Sequence, residues 1–431
     1  MIRNRDILIL FIVAFISTGI ALSFRNDTHV VTTQSIQLLT GNSSLHFDAI
    51  RTITLQKKGE LLKFELFDNE WWQVLPFQLR MDSPSMFALI RAVQGVRLLG
   101  ELSETTKLSV VGLGREASTI SLSDGSETIT IRLGRKTLGG RAYAQIGESL
   151  PVVVDQSLHR RVLDVNHTLW RDVHLFPDFA IDGIRIERVV NEDRLLLVRT
   201  SGRWEMLEPV SARVDQEFLL EWVGRIAAAR VNTFVIDEPH DLALFGLHEP
   251  VAIFTVSNRN GTSHQLFVGG RVTAGSQDRY VMFAERPVVC KVKWEILSTL
   301  FPSAEIFVDA TGSAVSRFDI KQVTVRMGGN EKIFVRDLER WVDANGVQAD
   351  NEAIEALLTW ILTTRPPSVS IGQYPIQDEI ATIVVSGYDL MPLDTVRIAL
   401  QEDGLWILEN GDNVLRIHPE EAGEVLEPFA K

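Results

Sequence analysis

Histidine is the side chain best suited to bind a metal or move a proton near neutral pH, and the chain carries two close pairs, His167 with His174 and His240 with His248. Neither spacing sets two rings on one helical face or fits a zinc finger, so both read as surface or capping residues. Phosphate chemistry needs a glycine-rich loop closing on a lysine. Gly134-Arg135-Lys136-Thr137 resembles the end of such a loop, but Ile129 stands where the opening glycine belongs. For acyl transfer or hydrolysis there is no Gly-x-Ser-x-Gly elbow, no His-Glu-x-x-His and no cysteine pair. Cys290, alone of its kind, lies in the apolar run Pro287-Val288-Val289-Cys290 and reads as a small buried hydrophobe. The expectation is therefore no catalytic residue, no cofactor and no metal.

What does recur is structural. Trp71 precedes Pro76 by five residues and Asp82 by eleven, and Trp204, Pro209 and Asp215 repeat both spacings. A worn third copy keeps Trp341 and Asp350 without the proline. Asp82 and Asp215 are 133 residues apart, Asp215 and Asp350 135, a period suited to a small domain rather than a solenoid turn. Beyond each aspartate, apolar residues fall at four, seven, eight and eleven positions: Met86, Leu89, Ile90, Val93; Leu219, Trp222, Val223, Ile226; Ile354, Leu357, Leu358, Ile361. That is one face of a helix with the aspartate as its N-cap. Each tryptophan reads as a core plug with its indole N–H satisfied, while Trp72, next to the first, is the candidate for stacking on a ligand.

Stretches that alternate apolar and polar residues surround these helices. Ile50-Arg51-Thr52-Ile53-Thr54-Leu55 and Ile184-Arg185-Ile186-Glu187-Arg188-Val189 open the first two copies, and Gln322-Val323-Thr324-Val325-Arg326 opens the third. The fold class that follows is α+β: tandem units of antiparallel β-meander, each with one main and one short helix, behind a single N-terminal transmembrane helix. The units are placed at 49–180, 181–316 and 317–431, with the third degenerate, after an anchor or signal at 1–25 and a polar spacer at 26–48.

Residues 7–24 carry no charge and follow Arg3 and Arg5, which is long enough to cross a bilayer with the basic flank inside. A retained anchor is the preferred reading, with a cleaved signal peptide as the alternative because Ala21-Leu22-Ser23 resembles a processing site. Either way the body is exported, N-terminus in the cytoplasm, body in the periplasm. A net charge of −13 argues against nucleic acid and anionic lipid as partners.

Taken together, the basic-flanked span, Trp71 with Pro76, Arg80-x-Asp82 and its helix, Gly112-Leu113-Gly114, the Tyr143 strand and Leu169-Trp170-Arg171-Asp172 resemble the bacterial DUF4340 family. The second copy shows the same marks at Trp204, Pro209, Arg213, Asp215 and Phe245-Gly246-Leu247, whereas the third has Gln348 where arginine stood. The resemblance implies a membrane-anchored protein of unknown function associated with ABC-type transport of the gliding-motility auxiliary kind, with a permease or ATPase subunit as partner. It supplies no catalytic residue. The function expected is thus a non-enzymatic scaffold accessory to an ABC-type system at the inner membrane. The alternative is an exported module binding an envelope glycan, lipid or peptide.

Overall fold

The computed structural model describes residues 45–57, 59–177, 179, 183–372 and 379–430. In the first sheet β1 (Thr52–Lys57), β2 (Glu60–Phe67), β3 (Glu70–Leu75) and β4 (Leu79–Arg80) pair antiparallel. Alternation puts Ile53, Leu55, Leu62, Phe64 and Trp71 into one buried cluster. Next come α1 (Ser83–Gln94), then β5 (Leu98–Glu101), β6 (Ser118–Ser123), β7 (Thr128–Thr137), β8 (Arg141–Ile146) and β9 (Val152–Asp155). The order across the sheet is β4-β3-β2-β1-β6-β7-β8-β9-β5. Four strands thus step from the middle to one edge, the helix carries the chain to the far edge, and β6 returns to the centre beside β1.

The second sheet repeats this path. It contains β10 (Gly183–Val190), β11 (Asp193–Thr200), β12 (Arg203–Glu208), β13 (Ala212–Arg213), α2 (Gln216–Ala228), β14 (Thr233–Asp237), β15 (Ala252–Asn258), β16 (Ser263–Arg271), β17 (Arg279–Phe283) and β18 (Val288–Val292), closed by α3 (Trp294–Leu300). Its order, β13-β12-β11-β10-β15-β16-β17-β18-β14, is the first sheet's shifted by nine. The third has β19 (Gln322–Met327), β20 (Asn330–Asp337), β21 (Arg340–Asp343), α4 (Asn351–Leu362), β22 (Ser368–Ile371), β23 (Glu379–Ser386), β24 (Pro392–Leu400), β25 (Trp406–Glu409) and β26 (Val414–His418). In its order, β21-β20-β19-β23-β24-β25-β26-β22, only a counterpart of β4 is missing. The class is α+β with mostly antiparallel strands. One compact unit ends at Asp172, and a second, from Val173 onward, holds the second and third sheets.

Each main helix buries the face its periodicity announces: Met86, Leu89, Ile90 and Val93 on α1, Leu219, Trp222, Val223 and Ile226 on α2, and Ile354, Leu357, Leu358 and Ile361 on α4, joined there by Trp360 and Leu362. Burial of each such side chain contributes about 1.5–3 kcal/mol, which makes these faces the main hold of helix on sheet. Other features carried no signal. The two-residue strands β4 and β13 are too short for alternation, and the edge strands β5, β14 and β22 were not foreseen. Nor is the short closing helix uniform: it is an α turn at Ser157–His159 continued by a π-helical stretch at Arg160–Asp164, and a 3-10 helix at Glu420–Phe429.

The anchor at 1–25 and most of the spacer lie outside the described residues. Leu45, within the stretch read as spacer, is buried in the first core. Among the described residues no helix is long and apolar enough to cross a membrane.

Two glycines hold matching close contacts. A β carbon on Gly134 would stand 2.5 Å from Val111 O, and one on Gly269 2.4 Å from Phe245 O, because the turns at Gly112-Leu113 and Gly246-Leu247 press onto β7 and β16. Gly269→Ala is expected to lower stability by about 1–3 kcal/mol through overpacking. Gly275→Ala, placed in open space, should leave it unchanged, and denaturant titration of both variants checks the difference.

Candidate functional site

The recurring residues converge on the loop ahead of each main helix. Asp82 Oδ2 accepts from Ser85 N at 2.9 Å, Asp215 Oδ1 from Phe218 N at 3.1 Å and Asp350 Oδ1 from Ala353 N at 3.1 Å, so all three are N-caps. Trp71, Trp204 and Trp341 are buried on the neighbouring strands. The backbone of Trp204 is clamped by the Gln216 side chain, and Asn351 Oδ1 accepts from Trp341 N at 2.8 Å. Pro76 and Pro209 are exposed, each following a cis peptide bond in the loop between tryptophan and aspartate.

One expectation is overturned. The indole N–H groups of Trp71 and Trp204 have no acceptor, while Trp341 Nε1 donates to Glu355 Oε1 at 2.8 Å. Glu355 stands where the first two helices carry Phe87 and Leu220, so only the third offers an oxygen. Trp72 is half-buried, on the opposite side of β3 from Trp71, with Glu65 and Arg80 as its cross-strand neighbours. The cavities of about 450 Å³ beside Asp350 and about 310 Å³ beside His167 are lined by other residues. Gly134-Arg135-Lys136-Thr137 is the end of β7 rather than a phosphate loop, with Lys136 Nζ 2.6 Å from Asp164. His240 and His248 are exposed. Cys290 is buried. Among the described residues no group of three or more His, Cys, Asp or Glu is arranged to hold a metal ion.

The densest polar arrangement is one that spacing did not reveal. After the first sheet the chain returns as a strap along its capping loop: Asp82 N donates to Trp170 O at 2.7 Å and Asp172 N to Arg80 O at 3.1 Å. The strap of the second sheet repeats this, Asp215 N to Phe307 O and Asp309 N to Arg213 O, both at 2.9 Å. Asp172 lies 3.4 Å from Arg80, and Asp309 3.6 Å from Arg213.

Beyond Asp309 the second strap meets the third sheet. Ser313 N donates to Ile361 O at 2.8 Å at the end of α4, and Ser313 Oγ to Asp394 at 2.6 Å. Arg416, fully buried on β26, donates to Asp309 O at 3.1 Å and holds Asp412 through both terminal nitrogens, at 2.7 and 3.1 Å. Burial lowers the Arg213 pKa, opposed by the Asp309 carboxylate and reinforced by Arg416. Arg365 adds a bridge to Asp215 at 2.9 Å. Beside this cluster His418 accepts from Trp360 Nε1 at 3.3 Å, and burial, then the Arg416 charge, pushes its pKa down to about 4. These charges fix one sheet against the next. Sequence reasoning missed Asp309, Asp412 and Arg416, because the strap that carries the first and the turn and strand at β26 that carry the other two are about a hundred residues apart with no common spacing.

Residues 204–365 match the family model described as Domain of unknown function (DUF4340). The matched stretch starts at Trp204, ends at Arg365 and so encloses the second capping loop, the strap, Asp309 and the third capping loop. No curated protein matches the chain. Among solved structures, DNA polymerase III subunit beta from Borrelia burgdorferi in complex with a natural product is similar over 89% of this chain and 93% of its own, at 9% identity and a TM-score of 0.14. A likeness that slight carries no argument.

Two outcomes follow from the cluster. Asp412→Ala, which strands a buried guanidinium, is expected to cost about 3–5 kcal/mol, whereas Arg416→Met, which removes the charge itself, costs less. Calorimetry on both variants tests the order. His418 and His159 stay neutral in the fold, with pKa values below the ordinary 6.5, while the unfolded chain takes up protons below 6.5. Stability therefore falls as pH drops from 6.5 toward 4, by on the order of 1 kcal/mol per pH unit for His418, with His159 acting in the same direction. His418→Gln should flatten that slope in denaturation at pH 7 against pH 5.

Proposed function

We propose that this protein is a non-enzymatic, membrane-anchored extracytoplasmic scaffold made of three tandem copies of one unit, accessory to an ABC-type transport system, with its N-terminal segment in the inner membrane and its body in the periplasm. The observation that carries a contact role is a hairpin. In the first two sheets the tips between the central strands are polar, Asp124-Gly125-Ser126 and Asn260-Gly261. The matching tip of the third, between β23 and β24, holds Tyr388, Leu390 and Met391, each more than half exposed, and Phe318 is 83% exposed on the segment leading into β19. Lys321, on that same segment, sits over the Tyr388 ring at 5.9 Å. Exposed apolar side chains gathered in this way mark interaction surfaces. The buried Arg416 cluster supports the same reading, since it holds the second and third sheets at one geometry.

Mild crosslinking of the full-length protein in its native membrane, affinity purification and mass spectrometry form the test. Recovery of an ABC permease or ATPase is expected, and Leu390→Ser with Met391→Ser should abolish it. Recovery of the protein alone in both cases overturns the transporter assignment. A ligand-stacking role for Trp72 gains nothing from its place on the strand.

A further inference from the structure

The two straps show what the edge of a capping loop binds, and the third sheet has the same edge without a paired strap. Ala349 N donates to Trp341 O at 3.0 Å as Met81 N donates to Trp71 O at 2.8 Å, so the register is the same. Gln348 O and Asp350 N then occupy the places of Arg80 O with Asp82 N and of Arg213 O with Asp215 N, which the straps pair. Among the described residues neither group is hydrogen-bonded. Backbone groups at a strand edge are a ready template for an added chain.

Beside them opens the cleft of about 450 Å³, floored by Phe334, Ala353 and Phe429 and rimmed by Glu331, Asp343 and Asp350. Phe429 meets Phe334 at 5.7 Å between ring centres, much as Trp170 meets Phe64 at 6.2 Å, so the aromatic seat of a strap is taken while its backbone partners are not. The charge is changed as well. Arg80 and Arg213 hold the strap acids Asp172 and Asp309, but the third loop has Gln348 in their place, and the cleft is lined by Asp343, Asp350, Glu331, which is bridged to Arg326 at 2.6 Å, and one lysine, Lys332. An acid there lacks the loop arginine that holds it in the first two units, and a base meets the carboxylates of Asp343 and Asp350.

We propose that this cleft is a peptide-docking edge, where an extended segment of a partner polypeptide pairs its backbone with Gln348 O and Asp350 N and sets a lysine or arginine where the internal straps carry Asp172 and Asp309. This is β-strand addition, with main-chain bonds for affinity and the acidic rim for selection. It deepens the scaffold reading and rests on it only for the owner of the peptide.

The probe is a fluorescein-labelled peptide of residues 306–313 carrying Phe307→Ala, because Phe429 fills the aromatic seat, and Asp309→Lys. Anisotropy with the full-length chain is expected to give a Kd on the order of 100 µM. The same peptide keeping Asp309 should bind roughly five- to tenfold more weakly. Methylating the backbone nitrogen at position 309, which removes the donor to Gln348 O, should abolish binding, and this change leaves the protein's folding untouched. Ala353→Trp, which fills the cleft, should do the same with an unaltered melting midpoint. No binding at 1 mM, equal binding of the lysine and aspartate forms, or survival of binding after N-methylation each overturns the proposal. Peptide binding without any ABC component in the crosslinking experiment retires the transporter assignment and keeps the docking edge; the reverse result does the opposite.

Discussion

The outward backbone groups of the capping loop have to be paired, and how that happens governs most of what distinguishes this chain. The first and third loops turn their tryptophan-side bonds inward, Met81 N to Trp71 O and Ala349 N to Trp341 O, and in the second the Gln216 side chain takes Trp204 O, leaving the alternate groups facing out. Unpaired amides and carbonyls at a strand edge cost free energy or recruit another chain. In the first two sheets the chain itself returns as a strap, which sets where the following segment departs.

Electrostatics builds on that pairing. The strap aspartate comes to rest beside the loop arginine, and in the second unit its carbonyl also accepts from Arg416 of the next sheet. A guanidinium suits this place because it presents several donors in one plane and keeps its charge when buried. Removing water from Arg416 is costly, and Asp412 together with backbone carbonyls offsets that cost only in one arrangement. The second and third sheets accordingly group into one compact unit.

Divergence among the copies follows a pattern. Where Phe87 and Leu220 leave their tryptophan without an acceptor, Glu355 takes the indole proton of Trp341 and also meets Arg317 at 2.8 Å and Arg336 at 3.7 Å. The third sheet thus adds charge around its tryptophan, loses the arginine and proline of its loop, and exposes Tyr388, Leu390 and Met391 at its central hairpin. The copy whose motif is most worn in sequence carries the surface features least like those of its sisters.

Much of the fold could be read from residue order alone. Asp82, Asp215 and Asp350 with the apolar positions behind them determined three capped helices and their buried faces, because a carboxylate one residue before a helix and a 3.6-residue period act locally. Alternation likewise determined the central strands, and the recurring tryptophans their core positions. The edge strands β4, β5, β13, β14 and β22 did not show, since two to five residues on a sheet margin are held by their neighbours more than by their own pattern. Nor did the strap or the Arg213, Asp309 and Arg416 cluster: its members are 96 and 107 residues apart in sequence, and only the folded chain places a loop arginine, a linker aspartate and a strand arginine within reach of one another. Local periodicity determined what each unit is made of, and long-range backbone pairing, which leaves no spacing in the sequence, decided how one sheet is held to the next.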